Sequence, residues 1–306
     1  MTSVSTSAFY DGAIYNLTKL RKQTEDLQTQ ISTGDKIVRS YDDPLAASQM
    51  RALQASETLA KADKSNTNMA KTRLTQTDST LSEFSTIVIQ LQSLATQAAS
   101  STLSTSDRAA VGAQISAYYN NLVNLANVKD TNGDALFAGQ GTGAAYTLDA
   151  SGNATYNGSS TAATMDLGPG LSVTTGVTGP EFLNFTSGGT SKDLLSVVKG
   201  LAAALQNPTS TADAITASQG ALTDLSAGLE AITTTQTVVG ARLAWVNTTT
   251  DMQTQMGTQR ANLQSTIGGT DLTAAAAKLT QQMTVLEASQ ASFVKMANLS
   301  LFSILN

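Results

Sequence analysis

The chain has 306 residues, 18 basic and 23 acidic side chains, a formal net charge of −5, and neither cysteine nor histidine. These absences exclude disulfides, thiolate nucleophiles, imidazole bases, zinc fingers and a Ser-His-Asp arrangement, and the acidic balance offers no general attraction for a nucleic-acid backbone. With 5% aromatic and 13% charged residues, the surface is largely neutral and polar, a composition that repels itself weakly and suits dense self-packing.

The first stretch, Met1 to Tyr15, lacks a basic start followed by an apolar core, so no cleaved Sec signal is expected. No apolar run reaches the ~18 residues of a membrane span. The first helix is expected from near Ser7 to Thr33, because Tyr10, Ala13, Leu17, Leu20, Thr24, Leu27 and Ile31 recur at alternating spacings of three and four. Gly34 closes it in a left-handed conformation. Lys36, Arg39, Tyr41 and Asp42 then form a loop of mixed charge, suited either to touching a neighbouring molecule or to plain solvation. In Asp43-Pro44 the carboxylate caps a second helix and proline takes its first position, where no hydrogen bond is lost. The adjacent carboxylates Asp42 and Asp43 are thus read as structural, since acid-base work needs two groups facing across a substrate.

No proline follows until Pro169, and the second helix keeps a heptad through Leu53, Ala60, Ala70, Leu74, Thr77, Leu81, Phe84, Val88, Leu91, Ala95 and Ala98. Ser104 to Asp107 supplies a new N-cap, and Val111, Ile115, Tyr118, Leu122 and Leu125 predict a third helix folding back on the second as a hairpin. Asp130-Thr131-Asn132-Gly133-Asp134 is read as a plain turn, because it lacks the spaced ligands and closing glutamate of a calcium loop. From Ala135 to Gly189 helical periodicity disappears, glycine is concentrated and neither Lys nor Arg occurs. Strands are expected at 145–148, 154–157, 163–167 and 171–177, with Gly139, Gly141 and Gly143 as linker glycines.

Helix is expected again from Ser191 to Asn207-Pro208, on Leu194, Val198, Leu201 and Leu205. The next long helix starts near Thr209 to Asp213 and carries Leu222, Leu225, Leu229, Ile232, Gln236, Val239, Leu243 and Val246 in register. A phase shift to Met252, Met256, Leu263 and Ile267 predicts a stutter. Trp245, beside that seam, is assigned to packing. After Gly268 to Asp271 the final helix repeats the heptad at Leu272, Ala276, Leu279, Met283, Leu286, Gln290, Phe293, Ala297, Ser300 and Ile304. At ~1.5 Å per residue it would run roughly 50 Å, too long to stand without a partner. The first helix has the matching rhythm, so the two termini are expected to build one rod.

The fold class is therefore mainly α with a β-rich insert (α+β), an elongated coiled-coil-like rod carrying a small β domain. The expected divisions are 1–43, an N-terminal assembly helix and loop; 44–134, a long helical hairpin; 135–190, a β-rich variable domain; 191–270, returning helices of the rod; and 271–306, a C-terminal assembly helix. Leu17, Leu20, Leu27, Ile31, Leu279, Met283, Leu286, Phe293 and Ile304 are the candidate assembly residues, with Gly34, Asp43 and Pro44 as cap and loop residues. The same positions also fit an ordinary intramolecular core, which periodicity alone does not separate from an intersubunit one. No nucleophile-base pair, metal cluster or cofactor motif can be assembled, so no enzyme, metal or cofactor is expected.

The wording of several segments resembles a known family. Gln30-Ile31-Ser32-Thr33-Gly34-Asp35-Lys36-Ile37, followed by Asp42-Asp43-Pro44-Leu45-Ala46-Ala47, resembles the N-terminal signature of the bacterial flagellin superfamily. Pro44-Leu45-Ala46-Ala47 and Gly133-Asp134-Ala135-Leu136-Phe137-Ala138-Gly139 are similar to its hook-filament junction family, as are Val239 to Leu243 and Leu299 to Leu305. Ala135 stands where that family often has an aromatic residue. The resemblance implies an axial, non-enzymatic subunit of the flagellum, exported through the flagellar type III apparatus without a cleaved signal peptide. It also implies terminal helices that order on assembly, and partners that are further copies of itself, a second junction protein on the hook side, flagellin on the filament side and an export chaperone. Two alternatives stay open at this point: a major filament flagellin, and an extracellular adhesin or glycan-binding module acting through the insert.

Overall fold

The computed structural model describes residues 3–304. Its elements run α1 (Ser3–Thr33), α2 (Pro44–Ala98), α3 (Thr105–Ala126), β1 (Tyr146–Leu148), β2 (Ala154–Tyr156), β3 (Thr164–Gly168), β4 (Leu171–Thr174), α4 (Gly179–Leu183), β5 (Asn184–Ser187), β6 (Thr190–Asp193), α5 (Leu194–Gln206), α6 (Thr211–Gly268) and α7 (Leu272–Ile304). The fold is mainly helical with a small strand region in the middle. The chain forms two compact units, one of residues up to Leu59 together with those from Gln255 onward, the other Ala60–Thr254. Both α2 and α6 contribute to each.

Short polar residues set the helix starts, as the orphan N–H groups of a first turn require. Asp43 Oδ1 accepts the Ala46 N–H at 3.0 Å, with Pro44 as the first residue of α2. Ser104 Oγ accepts the Asp107 N–H at 3.2 Å and donates back to that carboxylate at 2.6 Å; Ser210 and Asp213 repeat the arrangement at α6. At the other end of α2, Arg108 reaches back from α3 and donates from Nε to the Ala98 carbonyl at 3.0 Å and from its guanidinium to the Ser100 carbonyl. Arg108 is only 1% exposed, so a buried cation here is held by helix-end carbonyls.

The core of the second unit follows the α2 heptad, with Leu74, Leu81, Phe84, Val88, Leu91, Ala95 and Ala98 all fully buried. Helix α6 supplies Leu225, Ile232, Val239 and Val246, also fully buried and spaced by sevens. The expected stutter does not occur, because Gln253 continues the same interval and is half-buried. Its Nε2 donates to Thr67 Oγ1 at 2.9 Å and to the Leu167 carbonyl at 2.8 Å. Met256 and Leu263, chosen from their hydrophobicity, are 49% and 50% exposed. A polar residue therefore occupies the buried layer because it has partners there, which restores what desolvation would otherwise cost. Trp245 is 44% exposed, so its packing is partial.

Two other boundaries differ from expectation. Helix α3 shares the α2 core, but its closest backbone approach is to α5 rather than α2. Gly112 permits this: an added Cβ would lie 2.9 Å from Leu205 Cβ and 3.1 Å from the Ala202 carbonyl oxygen. Helix α5 starts at Leu194, not Ser191, because 190–193 pairs with 184–187 as a β-hairpin and Asp193 caps the helix through the Ser196 N–H at 2.8 Å. Burial raises the Asp193 carboxyl above the ordinary aspartate range.

The insert is three separate antiparallel hairpins, β1-β2, β3-β4 and β5-β6, rather than one sheet. An isolated two-stranded hairpin is marginal in water, so each leans on helices. Because the insert lacks Lys and Arg, its carbonyls take donors from the helices instead: Tyr119 Oη to Gly152 at 2.7 Å, Asn66 Nδ2 to Asp166 at 3.1 Å and Arg242 to Gly176 at 3.0 Å. Phe84, Phe137 and Phe182 stack edge-on or tilted with centroids 4.8–6.2 Å apart, joining α2, the segment after α3 and the short helix α4. Gly139 is not a linker glycine. It has φ +63°, and a Cβ there would lie 2.6 Å from the carbonyl oxygens of both Ser159 and Thr161. Gly141 is likewise close-packed, 3.1 Å from the Ala138 carbonyl by the same measure, while Gly143 is open.

The loops at 130–134 and 149–153 share one construction. Asp130 Oδ1 accepts the N–H groups of Asn132 and Asp134 at 2.8 and 3.1 Å, and Asp149 Oδ1 accepts those of Ser151 and Asn153, both at 2.8 Å. Gly133 and Gly152 take the left-handed position in each. Asp130 is further paired with Arg73, so its carboxylate is committed to the turn. Hydrogen bonds from Asn153 hold the Asp149 carboxyl below the ordinary range.

Candidate assembly surface

The site begins with two loops that bring the chain's ends together. Gly34, at φ +78°, ends α1 and donates its N–H to Gln30 at 2.9 Å. Beyond it Lys36 N–H meets the Gly268 carbonyl at 2.7 Å, and Thr270 N–H meets the Gly34 carbonyl at 2.8 Å, around an antiparallel bridge from Asp35 to Gly269. The end of α1 and the start of α7 are thereby clamped side by side. From there the helices run antiparallel, through Gln23 against Gln282 at 3.5 Å to Tyr10 against Phe293, whose rings meet edge-on at 5.6 Å. In the same unit Arg260 Nε pairs with Glu57 Oε2 at 3.2 Å, again a polar pair at heptad positions of α6 and α2.

Leu17, Leu20, Leu27 and Ile31 lie on the α1 face toward α7, and Leu279, Leu286 and Phe293 lie on the α7 face toward α1, all half-buried. Met283 is not on that face and is 47% exposed. The inward row of α7 is Ala275, Leu279, Gln282, Leu286, Ser289 and Phe293; it shares Leu279, Leu286 and Phe293 with the heptad read from the sequence and takes Ala275, Gln282 and Ser289 where that heptad has Ala276, Met283 and Gln290, each one residue, or about 100°, away. Ile304 closes α7, and its side chain lies outside the described residues, as do those of Ala297 and Ser300. The cap residues Asp43 and Pro44 start α2 in this unit. In the loop before them Asp42 Oδ2 accepts the Arg39 N–H at 2.8 Å, and the Arg39 guanidinium meets Tyr41 Oη at 2.8 Å and Asp26 at 3.5 Å.

One side of the α1-α7 pair is left as an apolar groove of about 690 Å³. Its walls are small residues, Ala8, Gly12 and Asn16 from α1 with Ala288, Ser289 and Ser292 from α7. Leu17, Leu20, Val285, Phe293 and Met296 also line it. These wall residues are absent from the hydrophobic reading because they are small or polar. The available signal was their spacing by four, which leaves a shallow strip where another helix can approach closely. The contrast with the second unit is physical: its heptad leucines Leu74, Leu81 and Leu91 of α2 and Leu225 of α6 are fully buried within the chain, whereas those of α1 and α7 are half-buried. Among the described residues no His, Cys, Asp and Glu side chains gather to hold a metal, and no helix is long and apolar enough to cross a membrane.

Comparison with known proteins adds an independent finding. A family model described as the bacterial flagellin N-terminal helical region matches residues 4–142. The flagellar hook-associated protein 3 of Escherichia coli K12 is 30% identical over 319 aligned residues, which span 98% of this chain and 98% of that protein. The protein of the same name from Salmonella typhimurium LT2 is 28% identical, spanning 98% of this chain and 99% of its own length. In fold, the chain is similar to the crystal structure of the flagellar junction protein FlgL from Legionella pneumophila, with a TM-score of 0.62 at 17% identity, over 72% of this chain and 100% of that one.

Proposed function

This chain belongs to the flagellar hook-associated protein 3 family, and from that membership we propose that it is a structural axial subunit of the bacterial flagellum, joining hook to filament. The observation that carries the mechanism is the antiparallel α1-α7 pair, whose apolar faces the chain covers on one side only. Completing the burial of a large apolar side chain contributes up to about 1.5–3 kcal/mol, so several such residues per subunit offset the entropy of ordering the arms. The assembly residues are Leu17, Leu20, Leu27, Ile31, Leu279, Met283, Leu286, Phe293 and Ile304. Residues 1–43 and 271–306 act as assembly arms, 44–134 and 191–270 as the helical shaft, and 135–190 as the variable insert. Gly34, Asp43 and Pro44 fix where the arms join the shaft. Contacts between different faces of successive copies are heterologous and propagate along an axis rather than closing as a dimer.

In this reading the partners are further copies of the chain, a second junction protein toward the hook, flagellin toward the filament and a chaperone during export. The chain acts outside the cell, having left through the flagellar export apparatus without a cleaved signal, and it performs no catalysis. The match to hook-associated relatives along the whole chain favours the junction role over that of a major filament flagellin or an adhesin. Deleting the gene tests it: the junction role requires cells that carry hooks without filaments and release flagellin unpolymerised. Filaments that are merely shorter, or normal, would refute it.

A further inference from the structure

Two surfaces of the α1-α7 pair have complementary shape and charge. The groove has small walls at Gly12, Asn16, Ala288 and Ser292, and none of its described lining residues is charged. Its rim is basic. Lys19 lies seven residues beyond Gly12 and Lys295 seven beyond Ala288, two turns along the same helix sides, and both are exposed. On a different face of α7, Leu272, Ala276, Met283, Glu287 and Val294 follow at intervals of four and seven and form one outward stripe. Leu272, Met283 and Val294 are 52%, 47% and 56% exposed, and Glu287 is the only charge in the row.

Resting on the assembly reading above, we propose that the groove of one copy receives the outward α7 stripe of a second copy, with Glu287 set between Lys19 and Lys295. The small walls let a third helix approach, and Leu272, Met283 and Val294 supply the apolar ridge that the groove lacks. The carboxylate fixes register through complementary charge, as a lone polar group in an apolar helix face does. Groove and stripe are different faces of the same two helices, so each copy uses both, and the contact extends without closing.

The test is charge reversal in the full-length chain, followed by sedimentation of polymers. Glu287→Lys is expected to raise the concentration needed for polymerisation by about tenfold or more, and Lys19→Glu with Lys295→Glu to do the same. Both variants keep the wild-type circular dichroism, since all three side chains are exposed. Mixing the two variants restores polymerisation. A mixture of Gly12→Cys and Met283→Cys chains, assembled and then treated with a diazene thiol oxidant that takes up the two electrons and two protons, forms the mixed disulfide, a clean readout in a protein without cysteine. Polymerisation of Glu287→Lys at the wild-type concentration, or failure of the mixture to recover, overturns this facing of the helices while leaving the assembly reading intact. An apolar dye that stays in the groove after polymerisation overturns it too, since another occupant would then be required. A wild-type chain that never polymerises overturns both.

Discussion

Replacing Leu286 by alanine, alongside Leu91 by alanine, separates burial within the chain from burial between chains. Leu91 is fully buried in the second unit, where truncation of a leucine removes its transfer energy and leaves a cavity, about 2–5 kcal/mol. Leu286 faces α1 but is only half-buried, so the free chain loses a fraction of the ~1.5–3 kcal/mol of full burial, about 1 kcal/mol, with little cavity to enlarge. Urea unfolding followed by circular dichroism, read at the far-UV midpoint, should therefore show a large shift for Leu91→Ala and a small one for Leu286→Ala. Polymerisation should show the reverse order, because Leu286 completes its burial only in the assembly. The reasoning is refuted if Leu286→Ala lowers free-chain stability as much as Leu91→Ala, or leaves polymerisation untouched.

Three further outcomes follow from the second unit. Arg108→Met keeps side-chain bulk but strips the donors from the Ala98 and Ser100 carbonyls, and should destabilise by about 1–3 kcal/mol in the same urea assay; a change within error would mean water replaces the guanidinium. Gly139→Ala combines a left-handed backbone with two carbonyl clashes and should destabilise by more than about 2 kcal/mol, whereas Gly143→Ala, in open space, should be neutral. In a carbon-detected NMR titration Asp149 should have its midpoint below the ordinary aspartate value and Asp193 above it. The signs then oppose. The Asp149 contribution is present above its unfolded pKa and is lost as pH falls through the depressed folded value, while that of Asp193 is greatest below its unfolded pKa and falls as pH rises through its raised folded value. Equal midpoints would contradict both the Asp149 loop and the buried Asp193 cap.

The sequence displayed the helical frame well because caps and spacing are local. Gly34, Asp43-Pro44, Ser104 and the α2 heptad stand in the structure as their chemistry requires. Periodicity weakened where the buried layer is polar. Gln253 and Arg260 hold heptad positions of α6 through hydrogen bonds to Thr67 and Glu57, and such partners lie too far along the chain to be visible in a local pattern. In α7, apolar residues cover a wide arc, so two neighbouring rows fit a heptad, and hydrophobicity selected Met283 where the inward position is Gln282. Strands β1 to β4 were legible as short separate segments. The β5-β6 hairpin was not, although Gly188 and Gly189, at φ +58° and +76°, are the pair a tight hairpin turn demands. The groove itself was hidden, since glycine, alanine and serine carry no hydrophobic signal and matter only for the space they leave.

The central claim, that the terminal helices complete their cores only between copies, is tested most directly by native-state hydrogen exchange with mass-spectrometric readout on free and polymerised chain. The account expects residues 1–43 and 271–306 to exchange far faster than the α2 segment 70–98 in the free chain and to become protected in the polymer. Strong protection of both arms in the free chain, unchanged on polymerisation, would contradict it.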